Sequence, residues 1–232
     1  MTISCAMVLA AGLGLRMRPI TETVPKPLII VGGKTMLDRA LDHVAAAGAT
    51  RVVVNAHWLA GAIVEHLADR PGITVVREEV LLETGGGVAN ALPLLGPDPF
   101  YVANSDIIWT NGARPALARL AAAWDPARMD ALLLLQPTAT AIGYEGNGDF
   151  FLDAAGTPRR RRDPEVAPLL FTGVQILHPR LFEDCPAGKF SLNLLYDRAL
   201  DEGRLAAIVH DGRWFHVGTP EALPEVEALL AG

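Results

Sequence analysis

Apolar runs long enough for buried strands alternate with helix-period segments through residues 1–136, and that alternation restricts the chain to few architectures. The runs at 3–9, 51–55, 73–77, 100–103 and 131–136 lack the strict apolar–polar alternation of a half-exposed strand, as expected of strands covered on both faces. Between them, residues 36–47 place Met36, Leu37, Ala40, Leu41 and Val44 on one helical face and stop at Gly48. Segments 60–68, 88–95 and 115–124 read as further helices, the second following a glycine run. The order predicts an α/β fold with a Rossmann-like, mostly parallel mixed sheet flanked by helices. From Pro137 the texture changes. Gly143, Gly146, Gly148 and Gly156 punctuate short runs such as 150–152 and 169–177, which predicts a small antiparallel lobe. Helix signals return at 192–202 and 220–230.

At 232 residues the chain suits one domain with a sizeable core. Half of its residues are apolar, yet charges, glycines or prolines interrupt every apolar run well before the ~18–20 residues of a membrane span. Residues 1–5 hold no basic stretch ahead of an apolar one, so a cytoplasmic protein without a membrane partner is expected. Cys5 and Cys185 lie in no metal-type spacing and read as reduced structural thiols. A formal charge of −6 gives no basis for a nucleic-acid partner.

The chemistry gathers where the first strand ends. It runs into Ala10-Ala11-Gly12-Leu13-Gly14-Leu15-Arg16-Met17-Arg18-Pro19, followed by Pro25-Lys26-Pro27-Leu28. Small residues after a strand let backbone N–H groups approach a ligand closely, and the two arginines and Lys26 supply cations. Only three lysines occur in the chain, so one inside this segment carries weight. The pattern suits a nucleoside triphosphate. The segment 10–28 is not a P-loop, which needs Gly-Lys followed by Ser or Thr within it. Nor is it the dinucleotide fingerprint of a dehydrogenase, whose third glycine is Met17 here. Asp106, after Asn104-Ser105, stands just past a predicted strand end, where open α/β sheets place ligands and where a carboxylate suits Mg²⁺.

Together with Glu83-Thr84-Gly85-Gly86-Gly87, Phe171-Thr172-Gly173 and Trp214-Phe215-His216-Val217-Gly218-Thr219, these segments resemble the sugar-1-phosphate nucleotidyltransferases over nearly the whole chain. The resemblance is to short single-domain members; no hexapeptide repeat follows for an appended β-helix. It implies that a sugar-1-phosphate oxygen attacks the α-phosphorus of a nucleoside triphosphate. UTP with N-acetylmuramate-1-phosphate is the leading pair, and GTP with mannose-1-phosphate the next. It divides the chain into a nucleotide-binding part over about 1–136, a sugar-phosphate part over about 137–219, and a C-terminal helix over about 220–232.

The resemblance also assigns residues. Ala11, Gly12, Leu13 and Gly14 would contact the triphosphate, Arg16 its β- and γ-phosphates, and Lys26 the α-phosphate or the acceptor phosphate. Glu83, Thr84 and Gly87 would meet base and ribose, the amides of this helix start being open to a ligand. Gly143, Glu145, Asn147 and Thr172 would line the sugar site. Asp106 would bind Mg²⁺, with Mn²⁺ as the alternative, and His216 stands where relatives carry a second metal-binding Asp. Three readings of His216 follow: the ion rests on Asp106, phosphates and water while His216 donates to a phosphate; a softer ion is preferred; or the chain binds nucleotide as a regulatory subunit without turnover. Arg159-Arg160-Arg161-Arg162 reads as a solvated loop or as an arm folding over the sugar phosphate. Asn55-Ala56-His57-Trp58 resembles a segment near the nucleotide side of the cleft. Trp109 reads as a core residue or a stacking face.

Overall fold

The apolar runs of the first half are parallel strands of one central sheet. The computed structural model describes residues 2–153 and 156–231. Its strands are β1 (Cys5–Leu9), β2 (Ile30–Val31), β3 (Lys34–Thr35), β4 (Arg51–Ala56), β5 (Ile73–Arg77), β6 (Phe100–Asn104), β7 (Ile107–Trp109), β8 (Ala131–Pro137), β9 (Ala141–Ile142), β10 (Phe150–Leu152), β11 (Pro158–Arg160), β12 (Leu169–Leu177), β13 (Leu205–Val209) and β14 (Trp214–His216). The helices are α1 (Met36–Ala46), α2 (Ala60–Leu67), α3 (Glu83–Leu95), α4 (Ala116–Ala123), α5 (Asn193–Asp201) and α6 (Ala222–Ala231).

Strand order across the large sheet is β5-β4-β1-β6-β12-β8-β13, with the β10–β11 hairpin added beside the first residues of β12. All pairings from β5 to β6 and that of β8 with β13 are parallel; β12 alone runs against its neighbours β6 and β8. Side chains of each strand alternate between the two faces. Val8, Val54, Ala103 and Leu134 pack under α1, α2 and α4, whereas Met7, Val53, Val102 and Leu133 pack under α3 and α5. Each fully buried Leu or Val contributes about 1.5–3 kcal/mol over an exposed one. Thr35 caps α1 by accepting from the Asp38 amide at 3.0 Å.

The second half departs from the expected lobe. The β10–β11 hairpin is antiparallel as predicted, but residues 169–177 are a central strand of the main sheet, buried along nearly their whole length. β9 instead joins a three-stranded sheet, β7-β14-β9, parallel to β14. This small sheet shares a third core with α6, formed by Met17, Val31, Met36, Ile108, Phe215, Val217 and Val226. Helix α3 begins at Glu83, so the glycine run lies inside it rather than before it. The reason is tertiary: a Cβ on Gly86 would stand 2.1 Å from the Gly188 carbonyl oxygen, and one on Gly85 would overlap the Phe190 ring at 2.4 Å. No helix among the described residues is long and apolar enough to cross a membrane. Both cysteines are free, Cys5 buried and Cys185 half-buried.

Candidate active site

The chain leaves β1 and β6 on opposite sides of a crevice. β4 lies on one side of β1 and β6 on the other, so the carboxyl ends of β1 and β6 flank a topological switch point, where open α/β sheets bind ligands. A cavity of about 610 Å³ opens there, lined by Leu9, Ala11, Gly12, Gly14, Leu15 and Arg16 from the first turn, by Lys26 and Pro27, and by Asn104, Ser105 and Asp106 from the end of β6. Leu81, Glu83, Thr84, Asn55 and Ser191 complete its far wall.

The turn is built to hold this shape. Gly14 has φ +62°, and a Cβ there would press on Thr21 at 2.9 Å and on Lys26 at 3.1 Å, so only glycine fits. The Thr21 hydroxyl donates to the Gly14 carbonyl at 2.8 Å, and both the Ser105 hydroxyl (2.7 Å) and its amide (3.0 Å) donate to the Leu9 carbonyl. Lys26 and Asp106, eighty residues apart, meet on the cavity floor: Nζ donates to Oδ2 at 2.9 Å. Lys26 is 7% exposed and lies between Pro25 and Pro27 in sequence. Crowding by protein works to raise the pKa of Asp106, but the Lys26 ammonium overrides it and holds the carboxyl below its ordinary 3.8.

His216 stands beside this pair because β14 pairs with β7, placing it opposite Ile107. Its Nδ1 lies 3.3 Å from the Gly143 carbonyl oxygen. With Nδ1–H donated there, Nε2 is left as an acceptor facing Arg16 Nη2 at 3.5 Å. Burial first, then Lys26, hold its pKa below 6.5, so the ring is neutral at pH 7. A second chamber of about 520 Å³ adjoins the first, sharing Arg16 and Gly218. Gly143, Tyr144 and Glu145 line it together with His216, Thr219 and, from the C-terminal helix region, Glu221 and Glu225.

Most of the residues singled out in the sequence converge here, and several do not. Ala11, Gly12, Gly14, Arg16, Lys26, Glu83, Thr84 and Asp106 line the first chamber; Gly143, Glu145 and His216 line the second. Leu13 belongs to the turn but not to the lining. Thr172 is a correction: its side chain is fully buried and donates to the Leu134 carbonyl at 2.8 Å, while its own carbonyl accepts from Trp214 Nε1. Asn147 is exposed outside both linings, where its carbonyl accepts from the Ala167 amide. Gly87 is buried against Asn55 and Glu78 rather than facing the chamber. The amides of Gly85 and Gly86 both donate to the Phe190 carbonyl, so the chain itself occupies that part of the helix start. Thr84 Oγ1 accepts from the Leu192 amide at 3.0 Å while still lining the cavity. The arginine run is not a free arm: Arg159 and Arg160 lie in β11, Arg159 bonds Glu165, Arg160 bonds Asp197 and Arg161 bonds Asp163. Trp109 is a core residue, stacked on His43 at 4.1 Å. Glu221, Glu225 and Ser191 carry no signal in local sequence, because distant segments bring them to the chambers.

Residues 6–138 match the MobA-like NTP transferase domain family. The chain is 46% identical to N-acetylmuramate alpha-1-phosphate uridylyltransferase of Caulobacter vibrioides over 97% of its own length and 96% of the relative's. The chain belongs to the MobA-like NTP transferase family. A second relative, N-acetylmuramate alpha-1-phosphate uridylyltransferase of Neisseria meningitidis serogroup B, is 36% identical over 97% of both chains. In fold the chain is similar to UDP-glucose pyrophosphorylase complexed with UDP-glucose, with a TM-score of 0.80 at 16% identity over 99% of this chain and 98% of that one. The chain is accordingly a nucleotidyltransferase. Such a transferase requires no protein nucleophile, because the acceptor phosphate is itself an anion; it requires cations at the phosphates and two adjoining ligand chambers. For a divalent ion, Asp106 offers carboxylate oxygens in the first chamber, and a hard ion takes the rest of its shell from phosphate and water. Among the described residues no group of three or more His, Cys, Asp or Glu side chains is arranged as an ion cage.

Proposed function

We propose that the chain transfers the uridylyl group of UTP to N-acetylmuramate α-1-phosphate, releasing pyrophosphate and forming a UDP-sugar. The observation that carries the reading is the Lys26–Asp106 pair at 2.9 Å on the floor of a cavity that the glycine turn and Arg16 rim and that opens into a second chamber. Full-length similarity to two uridylyltransferases supports the choice of base and sugar.

In this reading the triphosphate lies along the turn, with the amides of Gly12 and Gly14 and the Arg16 guanidinium on its outer phosphates. Lys26 moves from Asp106 to an oxygen of the α-phosphate, where negative charge accumulates as the acceptor oxygen bonds to phosphorus and the bridging oxygen leaves with pyrophosphate. Cations placed in advance act in a water-poor site and need no reorganisation during the step. Asp106, released from Lys26, would hold a divalent ion, Mg²⁺ by its carboxylate chemistry, which neutralises phosphate charge when bound. The acceptor sugar occupies the chamber bounded by Gly143, Glu145 and the start of α6, from which its phosphate approaches the α-phosphorus on the side opposite the leaving pyrophosphate. Re-use of cell-wall sugar in the cytoplasm is the setting this reaction fits.

A screen for pyrophosphate release tests the reading: UTP, GTP, dTTP and CTP against N-acetylmuramate, mannose, glucose and N-acetylglucosamine 1-phosphates, with Mg²⁺ and with Mn²⁺. UTP with N-acetylmuramate 1-phosphate should lead. A higher turnover with GTP and mannose 1-phosphate would replace the substrates, and nucleotide binding without any release would sink the reaction.

A further inference from the structure

The segment Asn55–Trp58, between β4 and α2, takes no part in the chemistry above, yet it is bonded into both walls of the nucleotide chamber. Asn55 is 2% exposed. Its Oδ1 accepts from the Ala10 amide at 2.8 Å, and its Nδ2 donates to Glu78 Oε1 at 2.7 Å. Glu78, 6% exposed, accepts through Oε2 from the Leu82 amide at 3.0 Å. A continuous chain of bonds thus runs from the backbone that opens the glycine turn to the backbone directly before Glu83 and Thr84. The neighbours reinforce it. His57 Nδ1 bonds the Glu78 carbonyl at 2.8 Å, and Trp58 Nε1 donates to the carbonyl of Thr21, the residue that holds Gly14.

The chemistry of this pair is specific. Both neighbours of the Glu78 side chain are donors, so only a carboxylate satisfies both; a glutamine would turn an N–H toward one of them. Among the described residues Glu78 has no ion-pair partner, and a buried carboxylate without a counter-ion is a costly way to fill a core. Gly87 follows from the same pair: a Cβ there would stand 2.8 Å from Asn55 Nδ2 and 2.9 Å from Glu78 Oε1. Asn55 itself lines the chamber.

We propose that Asn55 and Glu78 are positioning residues that fix the spacing between the triphosphate turn and the base wall, and so set nucleotide affinity and base discrimination. The proposal rests on the reading of the first chamber as the nucleotide site. It makes Asn55 the joint between the two ends of one ligand, since its side-chain amide bonds both the Ala10 amide and the Glu78 carboxylate.

The test exploits the polarity of the bonds. Asn55→Asp keeps the acceptor for the Ala10 amide but sets two acceptor oxygens against each other at Glu78. Glu78→Gln leaves one donor unmatched. The double variant N55D/E78Q rebuilds every bond with one donor reversed and the total charge unchanged. Dissociation constants for UTP and GTP by calorimetry, KM for both substrates by pyrophosphate release, and melting temperature are measured on the full chain. Each single variant should weaken UTP binding about tenfold or more and narrow the UTP-to-GTP ratio, while the KM of the acceptor stays unchanged. The double variant should return to within about threefold of the wild type. Folded single variants with wild-type UTP affinity and base ratio would overturn the proposal, as would an equal loss for both substrates that follows a lowered melting temperature. If both single variants fail to fold, the double decides: near-wild-type UTP affinity supports the proposal, and a tenfold loss in a folded double variant overturns it. A wild type that binds no UTP would instead refute the assignment of the chamber.

Discussion

Replacing Lys26 by methionine keeps an unbranched stem of similar length in its buried slot and deletes the ammonium. In the free protein that ammonium is bonded to Asp106 at 2.9 Å, with the lysine side chain 8% exposed and the aspartate 41% exposed. Water can therefore solvate the orphaned carboxylate, and the loss of stability should stay at about 1 kcal/mol or less, a fall of roughly 2–4 °C in melting temperature. The catalytic loss should be far larger. A pre-placed donor at a developing phosphate charge is worth about 10²–10³ in kcat, or ~2.7–4 kcal/mol. Ground-state binding keeps Arg16 and the turn amides, so UTP affinity should fall less than about tenfold. Single-turnover transfer at saturating UTP, beside calorimetric titration with UTP, separates the two quantities. Equal losses in affinity and rate, or a rate loss below tenfold, would refute the transition-state role of Lys26.

Asp130→Asn removes the shared acceptor of Arg180 and Arg204, the latter bonding both carboxylate oxygens at 2.8 Å. Burial pushes the Asp130 pKa up, but the two guanidinium bonds prevail and hold it below 3.8. Its contribution is present above the unfolded-state value and lost as pH falls through the lower folded one. Urea unfolding should show about 3–5 kcal/mol of loss at pH 7 and a smaller difference near pH 3; equal differences at both would contradict this. Gly86→Ala should cost about 3 kcal/mol, since its methyl meets the Gly188 carbonyl, and an unchanged melting temperature would count against that packing. His216 should titrate below 6.5 by NMR because burial, Lys26 and Arg16 oppose its charge; a midpoint above 6.5 would contradict its placement. His216→Asp should lower the half-saturating Mg²⁺ concentration severalfold by adding a carboxylate beside Asp106, and an unchanged metal profile would mean that the imidazole serves Arg16 instead.

The sheet strands of residues 1–136 were legible because a doubly covered strand must be apolar on both faces, as Ala131-Leu132-Leu133-Leu134-Leu135 is. Asp106 was legible from its place just past a strand end, and Lys26 because it stands between two prolines shortly after the glycine turn in a chain with only three lysines. What escaped depends on contacts between distant segments. The strand at 169–177 looks like any apolar run, and nothing local tells that it lies between β6 and β8. Thr172 was assigned to the sugar site by the resemblance alone, whereas the register irregularity between Phe171 and Gln175 accompanies an inward bond to Leu134. The glycines at 85–87 suggested a bare helix start, but Phe190 and Gly188, a hundred residues later, fill the space. Glu225 lies in α6 and Glu221 directly before it, and the pattern of that helix tells only which face is buried.

The most direct test follows the label. UTP carrying its isotope at the α-phosphorus is incubated with the chain, Mg²⁺ and N-acetylmuramate α-1-phosphate. Label should pass into a UDP-sugar only when the acceptor is present, in step with the pyrophosphate released. Tight UTP binding with no acceptor-dependent transfer of label would contradict the assignment of Lys26, Asp106 and Arg16 to the transfer of one nucleotidyl group from the triphosphate.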